Sequence, residues 1–159
     1  MPKYHWAHLN SQQVGAYGEY FVKMEFTMHG FQVFTPEVDD RGVDFIARFG
    51  TGNWNEVQVK TVRDPKYIFF KEDKFKLSQT FFVAVVILTE GKEPDIFLIP
   101  RSQWEAPTEL FVYRSYEGLV SSPEWGINLS KKNLPLLEQF RFANFVQTIC
   151  QTSSELKSN

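Results

Sequence analysis

Apolar positions recur at helical spacing through residues 10–28, where Val14, Tyr17, Phe21, Met24 and Met28 form one stripe. Asn10 or Ser11 supplies an N-cap and Gly30 a stop, so the pattern predicts a helix ending at Met28 with that stripe in the core. Gly15, Ala16, Glu19 and Lys23 fall on a neighbouring face. Its small residues would let the helix approach other backbone closely and bring Glu19 near a sheet. The period then drops to two. Residues 31–35, 43–49 and 54–62 alternate as strands do, with a polar loop at 36–41 and a Gly-Thr-Gly-Asn turn at 50–53.

Beyond this, residues 67–70 predict a short strand and 71–79 a short helix. Residues 81–88 are continuously apolar, as expected of a central strand buried on both faces. Another strand at 96–99 ends at Pro100, and Ser102 is expected to cap a helical turn through Glu105. Strands follow at 109–114 and 125–129, then a helix at 134–149 with Pro135 in its first turn. Residues 151–159 form a polar tail expected to fray. With no repeat or linker, one α/β domain over residues 1–150 is the economical reading.

Composition changes this picture little. At 159 residues, with 43% apolar and 16% aromatic content, the chain can bury a sizeable core. Its sixteen Phe imply aromatic packing or an apolar partner surface. A net charge of −2 argues against a generic basic nucleic-acid coat, but not against a local basic cleft. The single Cys150 excludes an intramolecular disulfide and a cysteine zinc cluster. No stretch has the length of a membrane span, and the start lacks a signal peptide's apolar run, so a soluble cytoplasmic protein is expected.

The candidate chemistry lies in the second and third strands. Gly42-Val43-Asp44 presents a carboxylate, and Glu56, Gln58 and Lys60 share one face of the next strand because side chains alternate. A carboxylate, an amide or carboxylate oxygen and a lysine are the parts that hold a hard divalent cation and offset charge on a phosphate. Singly, each has a plainer reading: Asp44 as a strand-end carboxylate, Lys60 as a solvated lysine, Glu19 as a helix-surface acid.

The order of helix with Gly18-Glu19, strand, strand with Gly42-Val43-Asp44, and strand with Val57-Gln58-Val59-Lys60 resembles the PD-(D/E)XK nuclease superfamily. It is similar to the subset whose last motif is Q-x-K. The resemblance covers about fifty residues, from Gly15 to Arg63, and the later strands fit the same fold loosely. It implies a restriction-endonuclease-like α/β fold, a mixed central sheet flanked by helices. It also implies Mg²⁺, with Mn²⁺ as a substitute, held by Asp44, the Gln58 side chain, the Val59 carbonyl and Glu19. Lys60 would orient the attacking water or offset charge on the phosphorane. The neutral Gln58 leaves one negative charge fewer than a carboxylate would, and Val43 stands where the family usually has proline. Glu56, on the same face, is positioned to restore the missing charge.

Residues 60–76 carry six Lys/Arg against three acids, a local balance of +3. Arg63, Lys66, Lys71, Lys74 and Lys76, interleaved with Tyr67, Phe69, Phe70 and Phe75, suit a DNA backbone, or equally a solvated helix face with its apolar side in the core. Asp39, Asp40 and Arg41 are readable as a further ligand, a DNA contact or an Asx-bonded turn. His5, His8 and His29 lack zinc spacing, and the first two are expected near a mobile terminus. Trp104, Trp125, Phe140, Phe142 and Phe145 are expected in the core or at a homo-oligomer contact. The expectation is a metal-dependent DNA endonuclease acting as a homodimer or higher oligomer. The alternatives are a non-catalytic domain of that fold binding DNA or a protein, and an interaction protein using its phenylalanines.

Overall fold

The capping signal at Asn10 becomes a reciprocal pair. In the computed structural model, which describes residues 2–38 and 41–158, Asn10 Oδ1 accepts from the Gln13 amide and Gln13 Oε1 from the Asn10 amide, both at 2.9 Å. Helix α1 (Ser11–Met28) follows, and Gly30, at φ +87°, ends it. The buried stripe is Val14, Gly18, Val22 and Phe26; of the expected one, Val14 is buried and Tyr17 and Phe21 are half-buried against the same core. Met24 and Met28 are 57% and 80% exposed. Both stripes satisfy the helical period. The one that wins contains Gly18, which lets the helix settle onto a strand and carries no apolar signal of its own.

Strands β1 (Phe31–Phe34), β2 (Phe45–Phe49) and β3 (Asn55–Val62) form an antiparallel meander. After β4 (Tyr67–Lys71), the chain returns to pair β5 (Phe81–Ile87) parallel to β3, and β6 (Asp95–Pro100) antiparallel to β5. The central sheet is therefore mixed, in the order β1-β2-β3-β5-β6. Every residue of β5 is buried, as its apolar run requires.

One face of this sheet is covered by α1 and α3 (Phe142–Lys157). There Phe26 packs its ring 4.9 Å from Phe142 and 5.4 Å from Phe45, with Ala84, Val86 and Val146 alongside. The other face is covered by a second antiparallel sheet, β4-β8-β7, with β7 (Phe111–Arg114) and β8 (Glu124–Asn128), and by the short α2 (Leu134–Leu137). This core holds Phe70, Phe75 and Trp104, whose indole donates to the Gly126 carbonyl at 2.9 Å.

Three expected elements change. Residues 71–79 contain only a 3₁₀ turn, Glu72–Lys74, because Phe75 is drawn into the core against Phe70. The turn Arg101–Glu105 starts one residue before Ser102 and has no side-chain cap. The helix expected at 134–149 breaks at Arg141, whose backbone is extended at φ −54°, ψ 135°. The reason is topological: Leu137 belongs to the core beneath the second sheet, whereas Phe142 and Val146 belong to the core beneath the helices. The chain crosses the sheet edge between them, where Arg141 bonds Asp95 at 2.9 Å and Glu138 at 2.6 Å. Helix α3 then runs through most of the expected tail.

The N-terminal segment is docked. Trp6 is buried, its indole donating to the Thr89 carbonyl at 3.0 Å, and Glu90 accepts from the Trp6 and Ala7 amides and contacts His5. Of the aromatic residues expected in the core or at a homo-oligomer contact, Phe140, Phe142 and Phe145 pack on the two cores. Among the described residues no helix is long and apolar enough to cross a membrane.

Candidate active site

Where β2 and β3 part, Asp44 continues their pairing by other means. Its amide donates to the Val57 carbonyl at 2.9 Å, and its Oδ2 accepts from the Val59 amide at 2.7 Å. The carboxylate is thereby pinned to the backbone between Gln58 and Lys60. Along β3, Val57 and Val59 face the helices, while Gln58, Lys60 and Val62 face the second sheet. Lys60 Nζ lies 5.5 Å from the Phe70 ring centroid.

Between β3 and β4 opens a cleft of about 460 Å³, lined by Gly42, Gln58, Lys60, Lys66, Lys71 and Lys74 among others. Four lysines and no acidic side chain line it among the described residues. Exposed Phe69 faces it and buried Phe70 forms part of its wall, whereas Phe75 is a core residue outside it.

Other expected site residues lie elsewhere. Arg63 Nη1 donates to the carbonyls of Leu9 at 2.8 Å and Ala7 at 3.3 Å, tying down the N-terminal segment outside the cleft. Lys76 lines a smaller neighbouring cavity of about 220 Å³ with Arg41, Glu56, Asp73 and Arg101. Glu19 lies on α1, the helix that covers the sheet face opposite the one Gln58 and Lys60 look toward, and pairs with Lys23 at 2.8 Å. The small residue that seats α1 is Gly18, against Thr61; Gly15 meets nothing within 4 Å. Asp39 and Asp40 lie outside the described residues.

The residue that sequence reasoning missed is Arg101. It is fully buried, its guanidinium 3.3 Å from the Phe81 ring centroid and 4.2 Å from that of Phe75. Its Nη2 donates to Gln58 Oε1 at 2.8 Å. Burial lowers its pKa to about 10, partly countered by the charge of Glu56. The Glu56 carboxylate thus acts on Arg101. An arginine after Ile-Pro gives no local sign that it will reach a strand forty residues earlier.

Mg²⁺ binds oxygen ligands in near-octahedral geometry. Asp44 has a carboxylate to offer. The Gln58 oxygen, however, already accepts from a guanidinium, and Glu19 is paired with an ammonium across the sheet. No three His, Cys, Asp or Glu side chains gather as a metal site among the described residues. As a four-member set, Asp44, Gln58, Val59 and Glu19 do not fit the ion.

No family model matches the chain, and no curated protein matches it significantly. Among solved structures it is similar to Hjc, a Holliday junction resolvase from the archaeal hyperthermophile Archaeoglobus fulgidus. The identity is 14%, over 84% of this chain and 95% of that one, with a TM-score of 0.54. It is also similar to the bacterial homing endonuclease I-Ssp6803I, at 13% identity over 94% of this chain and 97% of that one, with a TM-score of 0.49. At such identities the likeness to the resolvase speaks for the fold, and the chain has a restriction-endonuclease-like α/β fold, a mixed central sheet flanked by helices.

Proposed function

We propose that this protein is an endonuclease acting on the phosphodiester backbone of DNA, with its substrate held in the cleft between β3 and β4. The observation that carries the reading is the lining of that cleft: among the described residues, four lysines without an acid, beside a pinned carboxylate, in a chain whose net charge is −2. Such a local concentration of positive charge attracts a polyanion whatever the net charge. The fold, shared with a resolvase, favours DNA over other polyanions.

In this reading Lys66, Lys71 and Lys74 take phosphates flanking the scissile one. Lys60 offsets the negative charge that builds up on the phosphorane, as preorganised charge does elsewhere. Asp44 accepts a hydrogen bond from the attacking water and so aligns it. Water oxygen bonds to phosphorus, the ester bond to the leaving oxygen breaks, and one strand end carries a phosphate monoester and the other a hydroxyl. No step is routed through a metal.

The test is nicking of supercoiled plasmid by the protein, Asp44→Ala and Lys60→Ala, each in EDTA, Mg²⁺ and Mn²⁺. Nicking by the unaltered protein that falls about a hundredfold or more in both variants is the expected result. Equal nicking by all three proteins would point to a contaminant and defeat the enzyme reading. Salt-sensitive DNA binding without nicking would instead favour a binding module of nuclease fold.

A further inference from the structure

Arg101 and Asn133 are the buried charged or polar side chains among the described residues. Asn133 donates through Nδ2 to the Asn128 and Glu109 carbonyls, and its Oδ1 has no hydrogen-bond partner among the described residues. Arg101 is different. Its plane is held by the rings of Phe75 and Phe81, and its Nε and Nη1 have no hydrogen-bond partner among the described residues. Among the described residues the guanidinium makes one hydrogen bond, to Gln58 Oε1.

That bond decides the orientation of the Gln58 amide. The two ends of a carboxamide are nearly the same shape, but arginine has donors only. Whichever end meets Arg101 must be the oxygen. The Nε2 end therefore turns the other way, toward Gly42, where an added Cβ would sit 2.9 Å from it. Gly42 and Gln58 line the lysine cleft together, and Nε2 has no hydrogen-bond partner among the described residues. The cleft thus receives a donor from Gln58, next to the ammonium of Lys60. A cation seated on Oε1 would have to share it with a buried guanidinium. An anion at Nε2 meets a donor beside the lysines of the cleft, with the Asp44 carboxylate held by the Val59 amide.

We propose that Gln58 donates a hydrogen bond to a phosphate oxygen of bound DNA and is not a metal ligand, and that Arg101 is the positioning residue that fixes the amide this way. The proposal rests on the DNA-backbone reading of the cleft and replaces the role that the family resemblance implies for Gln58.

Two measurements on the full chain test it: anisotropy of a labelled DNA duplex in EDTA, and calorimetric titration with Mn²⁺ alone. Gln58→Ala is expected to weaken duplex binding about tenfold, the scale of a hydrogen bond to a charged group, and to leave any Mn²⁺ binding within about twofold. Gln58→Glu presents no donor and is expected to lose duplex affinity at least as much. Arg101→Lys keeps a donor for Oε1 and retains duplex affinity. Arg101→Met loses about as much affinity as Gln58→Ala, and the double variant loses no more than either, a coupling that a merely destabilised core would not produce. Should Arg101→Met fail to fold, the Gln58 variants and Arg101→Lys still decide. Loss of Mn²⁺ binding in Gln58→Ala, or duplex affinity unchanged there, overturns the donor assignment alone. Failure of the unaltered protein to bind duplex overturns the DNA reading and the proposal with it.

Discussion

Gly15 and Gly18 sit three residues apart on α1, yet the same substitution is expected to act on them with opposite sign. An alanine in a helix interior is favoured over glycine by about 0.5–1 kcal/mol. At Gly15 nothing lies within 4 Å of the added Cβ, so Gly15→Ala should keep that gain. At Gly18 the added Cβ overlaps Thr61 Oγ1 and lies 2.8 Å from Thr61 Cβ and 2.9 Å from Cγ2. Non-bonded carbons rest about 3.5–4.0 Å apart. Rotation can move Oγ1 and Cγ2 but not Cβ, so helix and strand must separate. Overpacking of this kind costs about 1–3 kcal/mol. Taking the upper end for a clash with an immovable atom, and subtracting the helix gain, leaves a loss of about 2 kcal/mol. At about 2–4 °C per kcal/mol, Gly18→Ala should melt about 4–8 °C lower and Gly15→Ala about 1–4 °C higher. Thermal and urea unfolding followed by circular dichroism read both. Adding Thr61→Ala to Gly18→Ala should recover part of the loss, since only the Cβ contact remains. If Gly18→Ala proves as stable as Gly15→Ala, α1 is not seated on Thr61, and the account of how Glu19 and β3 are positioned falls.

The remaining predictions concern the core, the alkaline limb and the cleft. Phe26 is fully buried between Phe31, Phe45 and Phe142, and Phe26→Ala should cost about 3–5 kcal/mol in urea unfolding; a loss below about 1 kcal/mol would contradict this packing. The Tyr67 phenol donates to Glu124 at 2.6 Å, and burial followed by this bond raises its pKa. A proton held more tightly in the folded state gives stability that is complete below about pH 10 and is lost as pH climbs toward the folded value. Above about pH 10 the protein should therefore lose stability more steeply than Tyr67→Phe, and parallel slopes there would refute the assignment. Lys66→Ala and Lys74→Ala should each weaken DNA binding alike across sequences and reduce the salt slope by about one; an unchanged slope would remove that lysine from the backbone contact.

The strands were legible one by one because alternation and apolar runs record burial locally. Residues 81–88 announced a strand covered on both faces, and β5 is one. The capping box at Asn10 and the stop at Gly30 likewise act within a turn of chain. Their partition was not legible. Nothing in residues 67–70 says that β4 leaves the central sheet to pair with β8, more than fifty residues later. The break at Arg141 was hidden for the same reason, since its two flanks are both helical patterns and only the two cores they serve differ.

The candidate site divides along the same line. Residue types and spacing alone place Gln58 and Lys60 on one face of a strand, with Asp44 near the start of the strand that pairs with it, because strand geometry and hairpin connection are local. They also concentrate lysines after Lys60. Which of those lysines share the cleft, which side of the sheet Glu19 occupies, and what the Gln58 oxygen faces depend on contacts between distant segments. Arg101 lies 43 positions from Gln58 and reaches it because β6 pairs with β5, and β5 with β3. A side chain's identity fixes its hydrogen-bonding capacity, but its partner is chosen by packing, and here packing set a guanidinium where the sequence had suggested a metal ion.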